Sequence, residues 1–369
     1  MKYRFAEKNM SHETKITGYD RQAALSHVCI SAITLLTFTL NICLPVFFIS
    51  CTSLNMQDYA TETTEIAFGF FPYNRYSGDM DIFADIFVFN DDGLQRLDSY
   101  QRVRVSEKMT AHVASRAGRK RIVAVISPHS DKYEWAEINS FQAFLKRKSS
   151  LFDERKGKML LSGTGYAYTG KEKSCNISIS PITSEIVINS ICCDFSDKPY
   201  KNTFIKDAKA YLINVNTSSG ILQYDSFMPE NLCNCLGYNE EDSEKFMEPG
   251  IIRQEIGELS DNRIHYPEIS LYCYPNDAPE ESPGSPFTKL VIEGKINGET
   301  CYYPISINRP ESGHSDGQPG IGRNCRYIYD IILKSAGCSD PNMDIRPEMA
   351  HIICRTEGWN DRIDTEIKF

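Results

Sequence analysis

In this 369-residue chain, the side chain whose setting most plainly specifies a chemistry is the thiol of Cys51. It follows Phe48-Ile49-Ser50 at the exit of the apolar run Val28–Ile49. No charged side chain occurs from Gln22 to Gln57, whereas the preceding stretch carries Lys2, Arg4, Lys8, Lys15 and Arg21. A basic stretch, a long apolar segment and a small residue before cysteine read as a lipoprotein-type export signal. The peptidase needs the small residue that Ser50 supplies, and the cysteine after the cut is acylated on sulfur. Phe48 stands where leucine is usual, and Met10 offers a second start. The apolar run is also long enough to span a bilayer as a plain anchor, but a plain anchor has no need of Ser50-Cys51. On either reading the bulk of the chain is exported and tethered to a membrane. Two or three acyl chains at Cys51 would suffice for stable anchoring.

Elsewhere the chemistry-bearing residues do not assemble. Ser162-Gly163-Thr164-Gly165 is glycine-rich, but the lysine and helix of a phosphate-binding loop do not follow it, so a turn or strand kink is expected. Cys233 and Cys235 have the wrong spacing for a zinc pair. His112, His129, His265, His314 and His351 are scattered, and His314-Ser315-Asp316 sits in a Gly/Pro-rich loop. The acidic turns Asp91-Asp92 and Glu240–Asp242 could hold calcium, although a solvated charged turn is the commoner case. No nucleophile, base and orienting group come together. The expectation is a non-enzyme with no catalytic residue, metal or cofactor.

Beyond residue 50 the chain carries 46 acidic against 35 basic side chains, a net charge near −11. This argues against a nucleic-acid partner. Thirteen cysteines are present, ten of them beyond Cys51. An exported chain permits disulfides, yet most of these cysteines lie singly in apolar runs, where the residue more often acts as a small buried hydrophobe.

The elements that must position these residues are mostly strands. Glu65–Phe71, Asp81–Phe89, Arg121–Ser127, Met159–Ala167, Ile177–Ile191 and Ala208–Val215 are rich in β-branched and aromatic residues. Asn90-Asp91-Asp92-Gly93 is a turn signal, and Pro181 is expected to split its run or to mark a sheet edge. Glu134–Lys148 reads as a helix, with Trp135, Ile138, Phe141, Phe144 and Leu145 at helical spacing and cations closing the last turn. Tyr224–Gly250 reads as an acidic, turn-rich excursion. Strands resume at Glu268–Tyr274, Thr288–Ile296, Thr300–Asn308, Cys325–Lys334, Ala350–Thr356 and Ile363–Phe369, with Asn297-Gly298 the strongest hairpin signal. About a dozen short strands and one helix indicate an all-β chain built of sandwiches.

In order and spacing this strand series resembles the type V pilus, or fimbrillin, family of Gram-negative anaerobes, particularly its lipoprotein-type minor subunits. Asp85-Ile86-Phe87-Val88-Phe89-Asn90-Asp91-Asp92-Gly93 is similar to the family's second strand and turn, and Gly118–Val125 to its next core strand. Met159-Leu160-Leu161-Ser162-Gly163 resembles the stretch after the helical excursion. Ile186–Ile188 and Ala210–Val215 resemble the closing strands of the first domain. Tyr272-Cys273-Tyr274-Pro275-Asn276, Thr288–Glu293, Tyr302-Tyr303-Pro304-Ile305, Arg323-Asn324-x-x-Tyr327 and Trp359 carry the resemblance through the second domain. Pro181 departs from the family pattern, which leads one to expect unbroken strand there.

The resemblance implies two tandem transthyretin-like β-sandwich domains with one or two short helices. The expected divisions are a signal peptide over 1–50, a tether over 51–61, and domains over 62–217 and 218–369. It also implies an outer-membrane, cell-surface, fimbrial location, with lipid on Cys51 and other fimbrial subunits as partners. In that scheme a protease cuts after a basic residue, removing a first strand that a neighbouring subunit's strand replaces. Here the exchange segment would carry Ile66, Phe68 and Phe70, and the cut would fall at Arg75. No Lys or Arg lies between Cys51 and Asn74, so such a cut would remove lipid and strand together. This fits an anchor subunit that keeps both. The alternative is a tip adhesin or carbohydrate-binding surface lipoprotein, meeting a host glycan or protein through exposed aromatics such as Tyr272, Tyr274, Tyr302 and Tyr303.

Overall fold

The computed structural model describes residues 61–69, 83–106, 109–127, 135–172, 174–224, 226–310 and 318–358. Cys51, Phe70, Arg75 and the strand expected over 363–369 lie outside them. The described chain is almost entirely β, as its composition predicts.

In the N-terminal half two sheets face each other. The larger has the order β3-β2-β5-β7-β9, formed by β2 (Phe83–Asn90), β3 (Leu97–Arg104), β5 (Gly118–Ile126), β7 (Leu161–Thr169) and β9 (Ser180–Pro181). The smaller has β1 (Thr61–Gly69) between β4 (Thr110–Arg116) and β8 (Ser174–Ser178). Ile66, Ile86, Val88, Val113, Ile122 and Ile177, all fully buried, form the core between them. The opposite face of the larger sheet is buried too. Phe87, Phe89, Val123 and Val125 pack with Phe141 and Phe144 and join the larger apolar core that continues into the rest of the chain. A strand covered on both faces must be apolar at nearly every position, which is why β2 and the end of β5 read as unbroken hydrophobic runs.

The C-terminal half contains two four-stranded sheets. One has β16 (Ile269–Cys273), β10 (Ser184–Cys193), β19 (Cys325–Leu333) and β20 (Ala350–Gly358) in that order. The other has β15 (Arg253–Ser260), β11 (Phe204–Ile213), β17 (Lys289–Ile296) and β18 (Glu299–Ser306). Two short ribbons complete the set: β6 (Lys148–Ser150) with β13 (Ser218–Gly220), and β12 (Val215–Asn216) with β14 (Leu232–Cys233). Asn297-Gly298 turns β17 into β18, with φ of 53° and 90° and Ile296 facing Glu299. Positive φ at both central residues is what a tight two-residue hairpin requires.

Three details refine the sequence reading. The helix expected over Glu134–Lys148 is one short turn, Phe141–Leu145, capped by Ser140, whose hydroxyl accepts from the Ala143 N–H. Trp135 and Ile138 reach the same apolar cluster from non-helical backbone, so the helical spacing reflected a shared destination. The run Ile177–Ile191 is divided, as Pro181 suggested: β8 ends at Ser178, the Ser180–Pro181 bridge forms an edge of the larger sheet, and β10 begins at Ser184. Finally, the two strands likened to closing strands of the first domain pair elsewhere. β10 ladders with β16 and β19, and β11 with β15 and β17, all of them later in the chain.

Buried polar side chains sew the halves together. Arg323, largely enclosed, donates to the carbonyls of Ser162, Ser180, Pro181, Ile221 and Gln223 and stacks on Tyr224 at 4.7 Å. Burial lowers its pKa to about 10, so it stays charged at neutral pH, and among the described residues no carboxylate pairs with it. Its fork satisfies strand-end carbonyls from β7 and β9 together with those of the segment after β13. Glu154, also buried, accepts from the Leu160 N–H at 2.9 Å and from the hydroxyl of Tyr274, just beyond β16, at 3.0 Å.

Candidate functional site

The expected exchange segment is β1, and its surroundings decide what its loss would mean. β1 occupies the middle of its sheet. Its residues Thr61–Ala67 face Arg116–Thr110 of β4 in antiparallel register, and Glu65–Gly69 run parallel to Ser174–Ser178 of β8. Taking β1 away therefore leaves a slot with unpaired backbone donors and acceptors on both walls, where removing an edge strand would leave one.

The side chains follow the same logic. Thr64 and Ile66 are fully buried, while Glu62 and Thr63 are exposed and Glu65 and Ala67 lie between. The period of two read from the sequence thus places Ile66 in the core, against β2, β4, β5 and β8. Phe68 lies in β1 as expected. On the outer face Glu65 approaches His112 of β4 at 3.7 Å, an exposed pair that holds the strand weakly. The buried Thr64 hydroxyl has no hydrogen-bond partner among the described residues, an uncompensated polar group in the slot floor.

Two features of the slot are written in the residues that line it. β4 alternates Ala111, Val113 and Ser115, all buried, with His112, Ala114 and Arg116. That period-two signal is short and weakly apolar, too faint to specify a strand on its own. The Ser162–Gly165 stretch lies inside β7, within the strand expected over Met159–Ala167, so of the turn or strand kink expected there it is not a turn. A Cβ on Gly163 would come within 2.0 Å of the Ser178 carbonyl oxygen, so glycine there lets β8 of the smaller sheet pass close over β7.

The remaining candidates resolve as structure. Asp92 turns its carboxylate back on the Leu94 and Gln95 N–H groups. Asp242 accepts from the Asn234 N–H and from Lys245. Cys233 and Cys273 are buried thiols, which burial holds above the ordinary range, Cys233 at about 12. The aromatic platform imagined for a glycan is overturned: Tyr272, Tyr274 and Tyr303 are at most 1 % exposed and Tyr302 is half-buried. Tyr272 instead donates to Glu185, and Tyr303 to the Ser335 carbonyl. Such tyrosines satisfy their hydroxyls inside the core and present no face to a sugar.

No protein-family model matches the sequence, and no curated protein matches it. Solved structures do. A candidate cell adhesion protein from Parabacteroides distasonis superposes with a TM-score of 0.58 at 15% identity, over 82% of this chain and 97% of that one. A fimbrilin from Porphyromonas gingivalis gives 0.57 at 15% identity, over 82% and 98%. A candidate cell adhesion protein from Bacteroides eggerthii gives 0.57 at 15%, over 81% and 96%. Nearly the whole of each of those chains is matched, at identities that speak to fold. The strand order that suggested the resemblance and these superpositions agree: this chain has the fimbrilin fold.

Proposed function

We propose that this chain is a non-enzymatic pilus subunit of the lipid-anchored, minor kind, which attaches or terminates a fimbria by β-strand complementation. One observation carries the reading. β1 is the paired centre of its sheet, and the 23 residues from Thr52 to Asn74 contain no lysine or arginine. A protease specific for basic residues therefore cannot part the lipid on Cys51 from β1; it can only remove both at Arg75. A subunit that stays on the outer membrane must keep β1 in its slot, and so must accept no donor strand there. Its contact with the rest of the fibre then has to use another edge.

The strand pairings also support a division of the exported part near Thr183, ahead of β10, in place of residue 217. On that division β13 returns to pair with β6, so the second sandwich is tied back to the first after β11.

The test is metabolic labelling with a fatty-acid analogue in cells carrying the native protein or Cys51→Ala. The reading expects label and outer-membrane partition in the native chain and loss of both in the variant. An unlabelled native protein contradicts it.

A further inference from the structure

Lys120, Asn90 and Asp98 bring an amine, a carboxamide and a carboxylate together at one end of the N-terminal core. They sit on three neighbouring strands: Asp98 on β3, Asn90 closing β2, and Lys120 on β5 directly opposite Asn90. Lys120 shares its strand face with Ile122, Ala124 and Ile126, which point into the apolar interior. Its Nζ lies 2.6 Å from Asn90 Oδ1 and 3.0 Å from Asp98 Oδ2. The Lys120 and Asp98 side chains are only 2% and 1% exposed. Asp98 Oδ2 also accepts from the Arg116 N–H at 2.8 Å, while Oδ1 lies 3.9 Å from Arg116 Nε and has no hydrogen-bond partner among the described residues. A buried carboxylate, met from one side by the Arg116 guanidinium, thus stands beside an amine held against an amide.

We propose that Lys120 and Asn90 form an intramolecular isopeptide bond, with Asp98 carrying the protons. Asp98 Oδ2, 3.0 Å from Nζ, is placed to act as the general base and take one proton from the ammonium, which leaves an amine lone pair free and the acid carrying that proton. The amine lone pair then attacks Asn90 Cγ, the atom next to the oxygen it already touches, and a Nζ–Cγ bond forms. Asp98 gives its proton to Nδ2, the Cγ–Nδ2 bond breaks, and ammonia leaves. Asp98 takes the surplus proton from Nζ, leaving a neutral secondary amide and a neutral acid. Five hydrogens enter on the three groups, and five leave: one on the amide, three on ammonia and one on Asp98. No oxidant, metal or second substrate is required. Proximity supplies most of the acceleration, because the fold holds the reacting groups in contact.

The product would join two adjacent strands of the larger sheet across the excursion that holds β3 and β4, restricting the unfolded chain as any cross-link does. A surface fibre subunit would gain resistance to forced unfolding at the strands that line the β1 slot.

The experiment is tryptic digestion of the native, membrane-extracted protein followed by tandem mass spectrometry. Trypsin cannot cleave after an acylated lysine. The expected species is the peptide Tyr76–Arg96 joined to the dipeptide Lys120-Arg121, lighter by one ammonia than the two together. Asn90→Ala and Lys120→Arg should abolish it, and Asp98→Asn should leave the two peptides largely separate. If a variant fails to fold, the native digest still decides the matter. Recovery of Tyr76–Arg96 unlinked from the native protein overturns the proposal, whether Asn90 is intact or has lost ammonia by closing on its own backbone.

Discussion

Glu154 offers the sharpest test of how the two halves are joined. Its carboxyl is buried, receives among the described residues only the Leu160 N–H and the Tyr274 hydroxyl, and is raised by desolvation from 4.5 to about 7. The acid is therefore more easily kept protonated in the folded chain than in the unfolded one. Stability that depends on the neutral form is fully present below the unfolded value of 4.5. It is lost as pH rises through the folded value of about 7. At 1.36 kcal/mol per unit, the difference amounts to about 3 kcal/mol between pH 4 and pH 8. Urea unfolding of the native protein and of Glu154→Gln, followed across that range, measures it directly. The amide can accept from the Leu160 N–H through its oxygen and donate to the Tyr274 oxygen through its nitrogen, but cannot ionise. The gap between the two curves should shift by about 3 kcal/mol in favour of the glutamine chain as pH rises, with unchanged slope in urea. Parallel curves would refute the argument, since they would mean that Glu154 does not change its protonation preference on folding.

Other outcomes follow from the same physical reasoning. Arg323→Met should destabilise the chain by at least about 3 kcal/mol in urea unfolding, because carbonyls from β7, β9 and the segment after β13 lose their shared donor. Ile66→Ala should cost between about 2 and 5 kcal/mol, since the side chain is fully buried at the centre of the slot and leaves a cavity. Thr64→Val should stabilise by about 1 kcal/mol, replacing an unpaired buried hydroxyl with a methyl of the same shape. A thermal melt that falls on this last substitution would show that the hydroxyl has a partner.

Much of this fold was legible in the residues, and the exceptions share a cause. β2, β5, β10, β17 and β19 are apolar enough to be read as strands because they are buried on one or both faces. β3, with Tyr100, Arg102 and Arg104, and β15, with Glu255 and Glu258, carry little strand signal because they are edge strands with many side chains turned to water. The overlong helix came from counting Trp135 and Ile138, which are drawn to the Phe141–Phe144 cluster without helical backbone. Pairing partners were beyond reach: nothing in Ile186–Ile188 states that it lies beside Tyr327–Tyr329, 141 positions later. Register across such distances is set by the assembled core. The tyrosines illustrate the same limit, since alternation fixes which ones share a face but not whether that face meets solvent or another sheet. Ile66 was placed correctly because one strand with one apolar face allows only one orientation.

The central claim is that this subunit retains β1 and the lipid that precedes it. Its most direct test is the N-terminus of the native protein recovered from outer membranes and from sheared fimbriae. The account predicts that the membrane-bound protein begins with acylated Cys51 and still contains Thr61–Gly69. It contradicts the account if the protein in both fractions begins at Tyr76, because the chain would then have surrendered its first strand and its lipid together and could not serve as the anchor.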